Sequence, residues 1–183
     1  MLNKENRNRL KQLARASIEF GIKHRQPIDV DLEHITSELS VIRATFVTLE
    51  KQHQLRGCIG TLEARRPLAL DVAENSFAAA YSDTRFQPVA RNEIKQLSIH
   101  ISILNPAEQL VFNSEPDLIQ LLRPEIDGLI IKDKSHQATF LPSVWQSLPR
   151  PEEFIRHLKV KAGFNANYWS KDMCAYRYTT DSF

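Results

Sequence analysis

The chain has 183 residues, of which 42% are hydrophobic and 25% are charged. These proportions are typical of a soluble globular protein, and no apolar run approaches the roughly 20 residues that a membrane-spanning helix requires. The formal net charge of +2 and the pI of about 8.6 fall short of the pI above roughly 9 that marks a nucleic-acid-binding domain. We therefore expect no membrane partner, and the charge does not favour a nucleic-acid partner.

The N-terminus and the cysteines indicate the compartment. Residues 1–7 lack the apolar core and the small-residue cleavage site of a secretory signal. Cys58 and Cys174 are the only two cysteines and lie far apart in the sequence. In a reducing compartment such a pair is more often two separate thiols than a disulfide. We therefore expect a cytoplasmic protein.

The first half of the chain predicts a helix, a β-hairpin and a second helix. Apolar residues recur at helical spacing from about Lys4 to His24, as in an amphipathic helix. Residues 44–49, which are rich in β-branched and aromatic side chains, are separated from residues 55–62 by a polar stretch. This pattern predicts a hairpin with Cys58 on its second strand. Residues 67–81 begin at a proline and carry an apolar stripe, which predicts a helix.

The second half predicts strands in hairpins and one more helix. Residues 97–103 alternate apolar and polar side chains without interruption, which predicts a strand that packs on one face only. Residues 128–132 and 137–141 predict a second hairpin, residues 151–163 a helix and residues 173–178 a last strand. Because strands and helices do not alternate regularly, we predict an α+β fold with an antiparallel sheet and flanking helices.

Residues 55–60, with the sequence Leu-Arg-Gly-Cys-Ile-Gly, are the most informative segment of the chain. They place Cys58 between two of the only five glycines and close to Arg56. Glycine inside a strand indicates that the backbone turns sharply or comes close to another group. A neighbouring cation favours the thiolate over the thiol. The segment therefore indicates a reactive or ligand-facing sulfur.

The same segment, together with blocks before and after it, resembles the AMMECR domain family, also called AmmeMemoRadiSam system protein A. The resemblance covers most of the chain, from about Ala14 to the C-terminus. The blocks that carry it, besides residues 55–60, are Phe46-Val47-Thr48-Leu49, Ala73-Glu74-Asn75, Ala79-Ala80, Asp83-Thr84-Arg85-Phe86, Ile101-Ser102-Ile103-Leu104, Gly128-Leu129-Ile130-Ile131, Phe140-Leu141-Pro142, Phe154-Ile155 with Leu158, Lys161-Ala162-Gly163 and Tyr176-Arg177-Tyr178.

The resemblance implies a single domain over residues 1–183, with a larger and a smaller subdomain that form a cleft. It implies that the strand bearing Cys58 lines this cleft and that the protein is cytoplasmic. It also implies that a Memo-like protein and a radical S-adenosylmethionine enzyme are partners, and it relates the fold to nucleotide-, nucleic-acid- and peptide-binding domains. The family does not supply an agreed reaction.

The first functional hypothesis is a modifying or transfer enzyme in which Cys58 is the nucleophile. Residues two apart on a regular strand share a face, so Arg56 and Cys58 are expected to point the same way. The candidate general bases are Glu74, Asp83 and His100. Each residue also has an ordinary explanation: a packed cysteine, a solvent-facing histidine, and carboxylates that satisfy a turn or a hairpin.

The second hypothesis is a non-catalytic adaptor that binds a small ligand, a nucleotide or a partner's peptide. Backbone groups beside the glycines, an arginine for an anion and an aromatic ring for stacking would suffice without a general base. Alternatively, Asp83 and Arg85 cap a turn and form an ion pair. The candidate ligand-binding residues are Arg56, Gly57, Gly60, Asn75, Asp83, Arg85 and Phe86.

The sequence predicts no metal site and no cofactor. None of the six histidines and two cysteines has the spacing of the common zinc motifs. Gly57 and Gly60 lie within a predicted hairpin strand, whereas a dinucleotide fingerprint requires a strand-to-helix turn, and the sequence contains no Walker motif.

Overall fold

The computed structural model describes residues 2–183, which divide into two compact units. The first unit runs to Leu104 and includes Asp181–Phe183, and the second is Asn105–Thr180. Within the described residues, no helix combines the length and the apolar character needed to cross a membrane. The helices are α1 (Lys4–His24), α2 (Ser37–Ser40), α3 (Leu68–Tyr81), α4 (Glu115–Leu121) and α5 (Pro151–Lys161). The strands are β1 (Thr45–Lys51), β2 (Gln54–Gly60), β3 (Leu97–Leu104), β4 (Glu108–Leu110), β5 (Gly128–Asp133), β6 (His136–Phe140), β7 (Cys174–Tyr178) and β8 (Thr180–Ser182).

The first unit is built on a four-stranded sheet with the strand order β2-β1-β3-β8. Its inner face carries the apolar positions of the alternating strands, such as Val47 and Ile101, which are fully buried in one core with residues of α1 and α3. The intervening positions, such as Thr48 and His100, project from the other face. We call this second face, which is turned away from α1 and α3, the outer face.

Helices α1 and α3 cover the inner face because both carry an apolar stripe. Helix α1 begins at the N-cap Asn3, whose side chain accepts a hydrogen bond from the amide of Asn6. The two helices are joined by a buried hydrogen bond of 2.7 Å from the Ser17 hydroxyl to the carbonyl oxygen of Ala73. This bond fixes α3 against α1, and α3 also packs against β2, the strand that carries Cys58.

The second unit has its own four-stranded sheet, in the order β4-β7-β5-β6, and its own core. The rings of Trp145 and Phe154 stack at 3.8 Å between centroids, and both side chains are almost fully buried. Lys159 of α5 is buried as well, and its ammonium group donates to both carboxylate oxygens of Glu115 at 2.9 Å.

The predicted α+β class with antiparallel pairing and flanking helices is confirmed, and the strands form two sheets. The long helices, both hairpins, β3 and β7 lie close to their predicted positions. The polar connection of the first hairpin is shorter than expected, because the strands continue to a two-residue turn at Gln52 and His53, where φ is 52° and 61°. Helices α2 and α4 and strands β4 and β8 were not predicted, since three to seven residues are too few to establish a period.

Candidate functional site

Three polar side chains form a row across the outer face of the first sheet. In the strand register, Thr48 of β1 lies opposite Cys58 of β2 on one side and His100 of β3 on the other. A hydrogen bond of 3.3 Å joins Thr48 Oγ1 and Cys58 Sγ. Cys58 is a free thiol and is partly exposed. Its sulfur is therefore presented beside a hydroxyl group on the outer face.

The backbone of Cys58 is held by two side chains from the segment after α3. Because β2 is an edge strand, the amide and carbonyl groups of Cys58 that point away from β1 have no strand partner. The Asp83 carboxylate accepts a hydrogen bond of 2.9 Å from the Cys58 amide, and the Arg85 guanidinium donates one of 3.3 Å to the Cys58 carbonyl oxygen. Asp83 and Arg85 thus replace a neighbouring strand at this position.

Asp83 and Arg85 are also bound to each other. Arg85 Nε and Nη2 donate to the two carboxylate oxygens of Asp83 at 2.9 and 2.7 Å. The hydrogen bonds from the Arg85 side chain, together with those from the Cys58 and Arg85 amides, lower the pKa of Asp83 to about 2. The same pairing raises the pKa of Arg85. Asp83 is therefore ionised at neutral pH and is poorly suited to act as a general base.

Arg56 does not support Cys58 in the way that the sequence predicted. The register between β1 and β2 shifts so that Arg56 is an extra residue without an opposite partner, which is a β-bulge. Its guanidinium donates to both carboxylate oxygens of Glu93, at 3.3 and 3.0 Å. Hydrogen bonds from Arg56, the Ala90 amide and Lys51 lower the pKa of Glu93 to about 2. The bulge interrupts the regular alternation from which a shared face of Arg56 and Cys58 was predicted, and the Arg56 guanidinium is bound to Glu93.

The two glycines of the motif have packing partners. A Cβ atom on Gly57 would lie 2.1 Å from the carbonyl oxygen of Ala79, so glycine lets α3 approach the sheet closely. A Cβ atom on Gly60 would lie 2.3 Å from the Phe46 ring and 2.4 Å from the carbonyl oxygen of Thr45. Close approach of the backbone was predicted here, and the groups that approach are parts of the chain itself.

Glu74 and Asn75 belong to a polar cluster at the other end of β1. Asn75 is buried, and its amide donates to Thr45 O, Thr45 Oγ1 and Asp71 Oδ2 at 3.1, 3.0 and 2.9 Å. Asp71 is 1% exposed and also accepts from the backbone amide and hydroxyl of Thr45. Glu74 is paired with the Arg66 guanidinium. Asn75 therefore ties α3 to the start of β1.

His100 and Phe86 occupy different parts of the site. The side chain of His100 is 52% exposed, and its Nε2 lies 3.5 Å from a carboxylate oxygen of Glu50. His100 is two strand spacings from Cys58, about 10 Å, which is beyond direct hydrogen-bond reach. The Phe86 ring lies at the edge of the sheet, with the Arg85 guanidinium 5.4 Å from its centroid.

The predicted site residues thus separate into groups. Cys58, Asp83 and Arg85 are in direct contact, and Phe86 adjoins them, whereas Arg56, Glu74, Asn75 and His100 are bound elsewhere. Thr48 was missed, since a regular two-residue hairpin would place it opposite Gly57 and only the bulge brings it to Cys58. Glu93 was missed because its partner Arg56 is distant in the sequence.

The site offers one partly free charge for a ligand. The Arg85 side chain is 56% exposed although it is paired with Asp83, which is 4% exposed. Its remaining donor directions could bind a carboxylate or phosphate. Among residues 2–183, no group of three or more His, Cys, Asp or Glu side chains is arranged to hold a metal ion.

Comparison with known proteins gives the family. The AMMECR1 family model matches residues 11–183. A protein of Methanothermobacter thermautotrophicus is 31% identical over 190 aligned residues, which cover 100% of this chain and 95% of that protein. A protein of Thermotoga maritima is 36% identical over 169 residues, covering 91% of each chain. The crystal structure of an uncharacterised Pyrococcus horikoshii protein superimposes with a TM-score of 0.88 at 28% identity, over 94% of this chain and 88% of that one. The chain belongs to the AMMECR1 family.

Proposed function

We propose that the chain is a binding module whose recognition surface is the outer face of the first sheet around Cys58, together with Arg85 and Phe86 at the sheet edge. The observation that carries this proposal is the fixation of Cys58. Asp83 and Arg85 hold its amide and carbonyl groups, and Thr48 contacts its sulfur. A site held in this way is preorganised for recognition, which lowers the entropy cost of binding.

The surroundings of Cys58 favour recognition over chemistry. Asp83 is ionised because Arg85 and the Cys58 amide bind it. Glu74 is paired with Arg66 and His100 lies beside Glu50. A nucleophilic cysteine needs an adjacent base or a cation that stabilises its thiolate, and the cation beside Cys58, Arg85, is already bound to the Asp83 carboxylate. Recognition requires only an exposed guanidinium, a ring and polar groups, and Arg85, Phe86 and the row across the outer face provide these.

The partners that we propose come from the family resemblance: a Memo-like protein and a radical S-adenosylmethionine enzyme, in the cytoplasm. Arg85 and Phe86 are suited to an acidic or aromatic segment of such a partner, because arginine and aromatic side chains are frequent anchors of protein interfaces. In this proposal Cys58 is a contact residue and does not form a covalent intermediate.

Calorimetric titration with the purified Memo-like protein and radical enzyme of the same organism tests this proposal. We expect Phe86→Ala and His100→Ala to weaken binding by about tenfold or less each, as for interface residues that are not dominant hot spots. Cys58→Ser is expected to change the affinity little, and the exposed carboxylate variant Glu19→Gln on α1 is the control. Two results would contradict the proposal: binding that depends strictly on the Cys58 thiol, or binding that neither Phe86→Ala nor His100→Ala alters.

A second candidate function, a thiol-dependent enzyme, is favoured by one observation. The Thr48 hydroxyl contacts Cys58 Sγ at 3.3 Å and lies next to His100 in the same row, so it could relay a proton between them. The pH dependence of Cys58 alkylation in a Cys174→Ala background distinguishes the two functions. An apparent thiol pKa well below roughly 8.5, which Thr48→Val and His100→Ala raise, would favour the enzyme.

A further inference from the structure

A cavity lies against α1, within the first unit and on residues that the proposed site does not use. The segment 28–36 is fixed to α1 at both ends. The Ile28 amide donates to the Ser17 hydroxyl at 3.3 Å, and the Thr36 hydroxyl donates to Asn6 Oδ1 at 3.2 Å. Between these two points, the segment and the helix line a cavity of about 440 Å³ that is open to solvent. The volume lies within the range of roughly 300–1,000 Å³ that is usual for small-molecule sites.

The floor of the cavity is apolar. Leu10 and Leu13 of α1, Leu39 of α2 and Ala69 of α3 contribute to it, and Val30 and Ile35 line the opposite wall. Leu10, Leu39 and Ala69 belong to the buried core, so the floor is supported from behind by packed side chains. A ligand that fills the space must therefore present a compact apolar body.

The rim of the cavity has an excess of negative charge. Four polar side chains line it: Arg9, Asp29, Asp31 and His34. The Arg9 guanidinium is already paired with Glu5 at 2.7 Å. Asp31 accepts hydrogen bonds from the Glu33 amide at 3.0 Å and contacts His34 Nδ1 at 2.7 Å.

Asp29 is the rim residue with an unengaged charge. Within residues 2–183, its carboxylate has no hydrogen bond and no ion pair, and the residue is exposed. Since Arg9 is already paired with Glu5, the Asp29 carboxylate is the charged group at the rim that has no partner among residues 2–183. An anionic ligand would be repelled there, whereas an ammonium ion would gain a charge-assisted hydrogen bond.

We propose that this cavity is a binding site for a small organic cation, an ammonium ion attached to a compact apolar body. The apolar body occupies the floor between α1 and residues 30–35, and the ammonium group lies at the rim and donates to Asp29. The site is separate from the proposed recognition surface around Cys58, so each can be tested without the other.

A series of three probes of similar size and different charge tests the proposal on the full chain. The probes are 2-phenylethylammonium, 2-phenylethanol and 3-phenylpropanoate, and binding is followed by amide chemical shifts in ¹H-¹⁵N spectra. We expect saturable shifts around Leu13, Val30 and Ile35, with the ammonium probe bound most tightly, at a Kd of about 1 mM or below, in keeping with the ligand efficiency of so small a molecule. The alcohol should bind more weakly and the carboxylate most weakly.

Two variants and one control separate the contribution of the Asp29 charge from that of the cavity. Asp29→Asn should weaken binding of the ammonium probe by about threefold, as expected for one exposed charge pair, and leave the alcohol unchanged. Glu19→Gln, which removes an exposed carboxylate of α1 outside the cavity, should change neither affinity. Val30→Trp should fill the cavity and reduce binding of all three probes, with thermal unfolding as the check of its fold.

Several outcomes would overturn the proposal. They are shifts that map outside the cavity, no saturable shift with any probe, equal affinities for the ammonium and carboxylate probes, or an unchanged affinity of Asp29→Asn for the ammonium probe. Because Asp29 is exposed, its substitution should leave the fold intact, and the test remains decisive even if Val30→Trp does not fold.

Discussion

Asp83 shows how a single side chain can complete an edge strand. Its carboxylate accepts hydrogen bonds from the Cys58 amide, the Arg85 amide and the Arg85 side chain. An unpaired edge is a template for association with other strands, and proteins usually protect it with charges or a covering loop. Here the Asp83 and Arg85 pair provides both kinds of protection and fixes the residue at the centre of the proposed recognition surface.

The low pKa of Asp83 predicts that the stability of the protein depends on pH. Its pKa of about 2 in the folded protein lies below the value of roughly 3.9 for an unfolded chain. The folded state therefore binds the proton less well, and the stabilisation is complete above about pH 4 and is lost as the pH falls toward about 2. The shift corresponds to about 2 kcal/mol of unfolding free energy at neutral pH.

Asp83→Asn should remove this contribution while preserving the shape of the side chain. Urea unfolding between pH 7 and pH 2 should show a variant that is less stable than the natural chain at neutral pH, by about 2 kcal/mol, with a difference that shrinks as the pH falls. Glu19→Gln on α1 serves as the control for the loss of one negative charge. A difference that stays constant across the pH range would show that Asp83 stabilises the fold through its shape alone.

Helix α3 is attached to the first sheet by a polar cluster as well as by apolar packing. At one end of the helix, Asp71 and Asn75 hold the start of β1 through Thr45. Further along, the carbonyl group of Ala79 occupies the space beside Gly57. Two points of attachment align the helix with β1 and β2, and thereby determine where the segment with Asp83 reaches the edge of the sheet.

The cluster predicts different outcomes for two adjacent substitutions on α3. Asn75→Ala removes a buried amide that donates to Thr45 O, Thr45 Oγ1 and the ionisable carboxylate of Asp71, and the loss of these buried hydrogen bonds should lower the unfolding free energy by about 2–3 kcal/mol. Glu74→Ala removes a partly exposed ion pair with Arg66 and should lower it by less than about 1 kcal/mol. Chemical denaturation of both variants measures these values.

This pair of variants also tests whether Asn75 binds a ligand. With a structural role, Asn75→Ala should retain the affinity for a partner wherever the protein remains folded. Equal stability losses for the two variants would contradict the arrangement of the buried cluster.

The sequence predicts the elements well where a local pattern specifies them. Alternation identifies β3, and the apolar stripes identify α1 and α3, because burial of one face imposes these periods.

The site is harder to predict, since it depends on contacts between distant residues. The bulge at Arg56 changes which residue lies opposite Thr48, and Glu93 neutralises an arginine that is 37 positions away. The glycines were recognised as points of close approach, but the helix that approaches Gly57 could be identified only in three dimensions.

At the scale of the whole chain, the second unit is a continuous insertion into the first. The first unit ends its main segment at Leu104 and resumes at Asp181, where β8 joins β3 at the edge of the sheet. The two ends of the insertion are bound to each other: the Asn105 amide donates to the carbonyl oxygen of Thr179 at 2.9 Å, and the Asn105 side chain donates to the Thr179 hydroxyl at 2.8 Å. Adjacent ends are what an inserted folding unit requires.

We therefore expect the excised segment 105–180 to fold alone, since it contains a complete four-stranded sheet and the core around Trp145 and Phe154. A segment of this size is close to the lower limit for an independent core, so its stability should be only a few kcal/mol, about 3–5. Thermal unfolding followed by near-ultraviolet circular dichroism should show one cooperative transition. The matched control is the same segment with Phe154→Ala, which should lose the transition, because removing a buried ring costs about 3–5 kcal/mol. If the excised segment instead shows no fixed tertiary signal while the full chain unfolds in one step, residues 105–180 depend on the first unit for their fold.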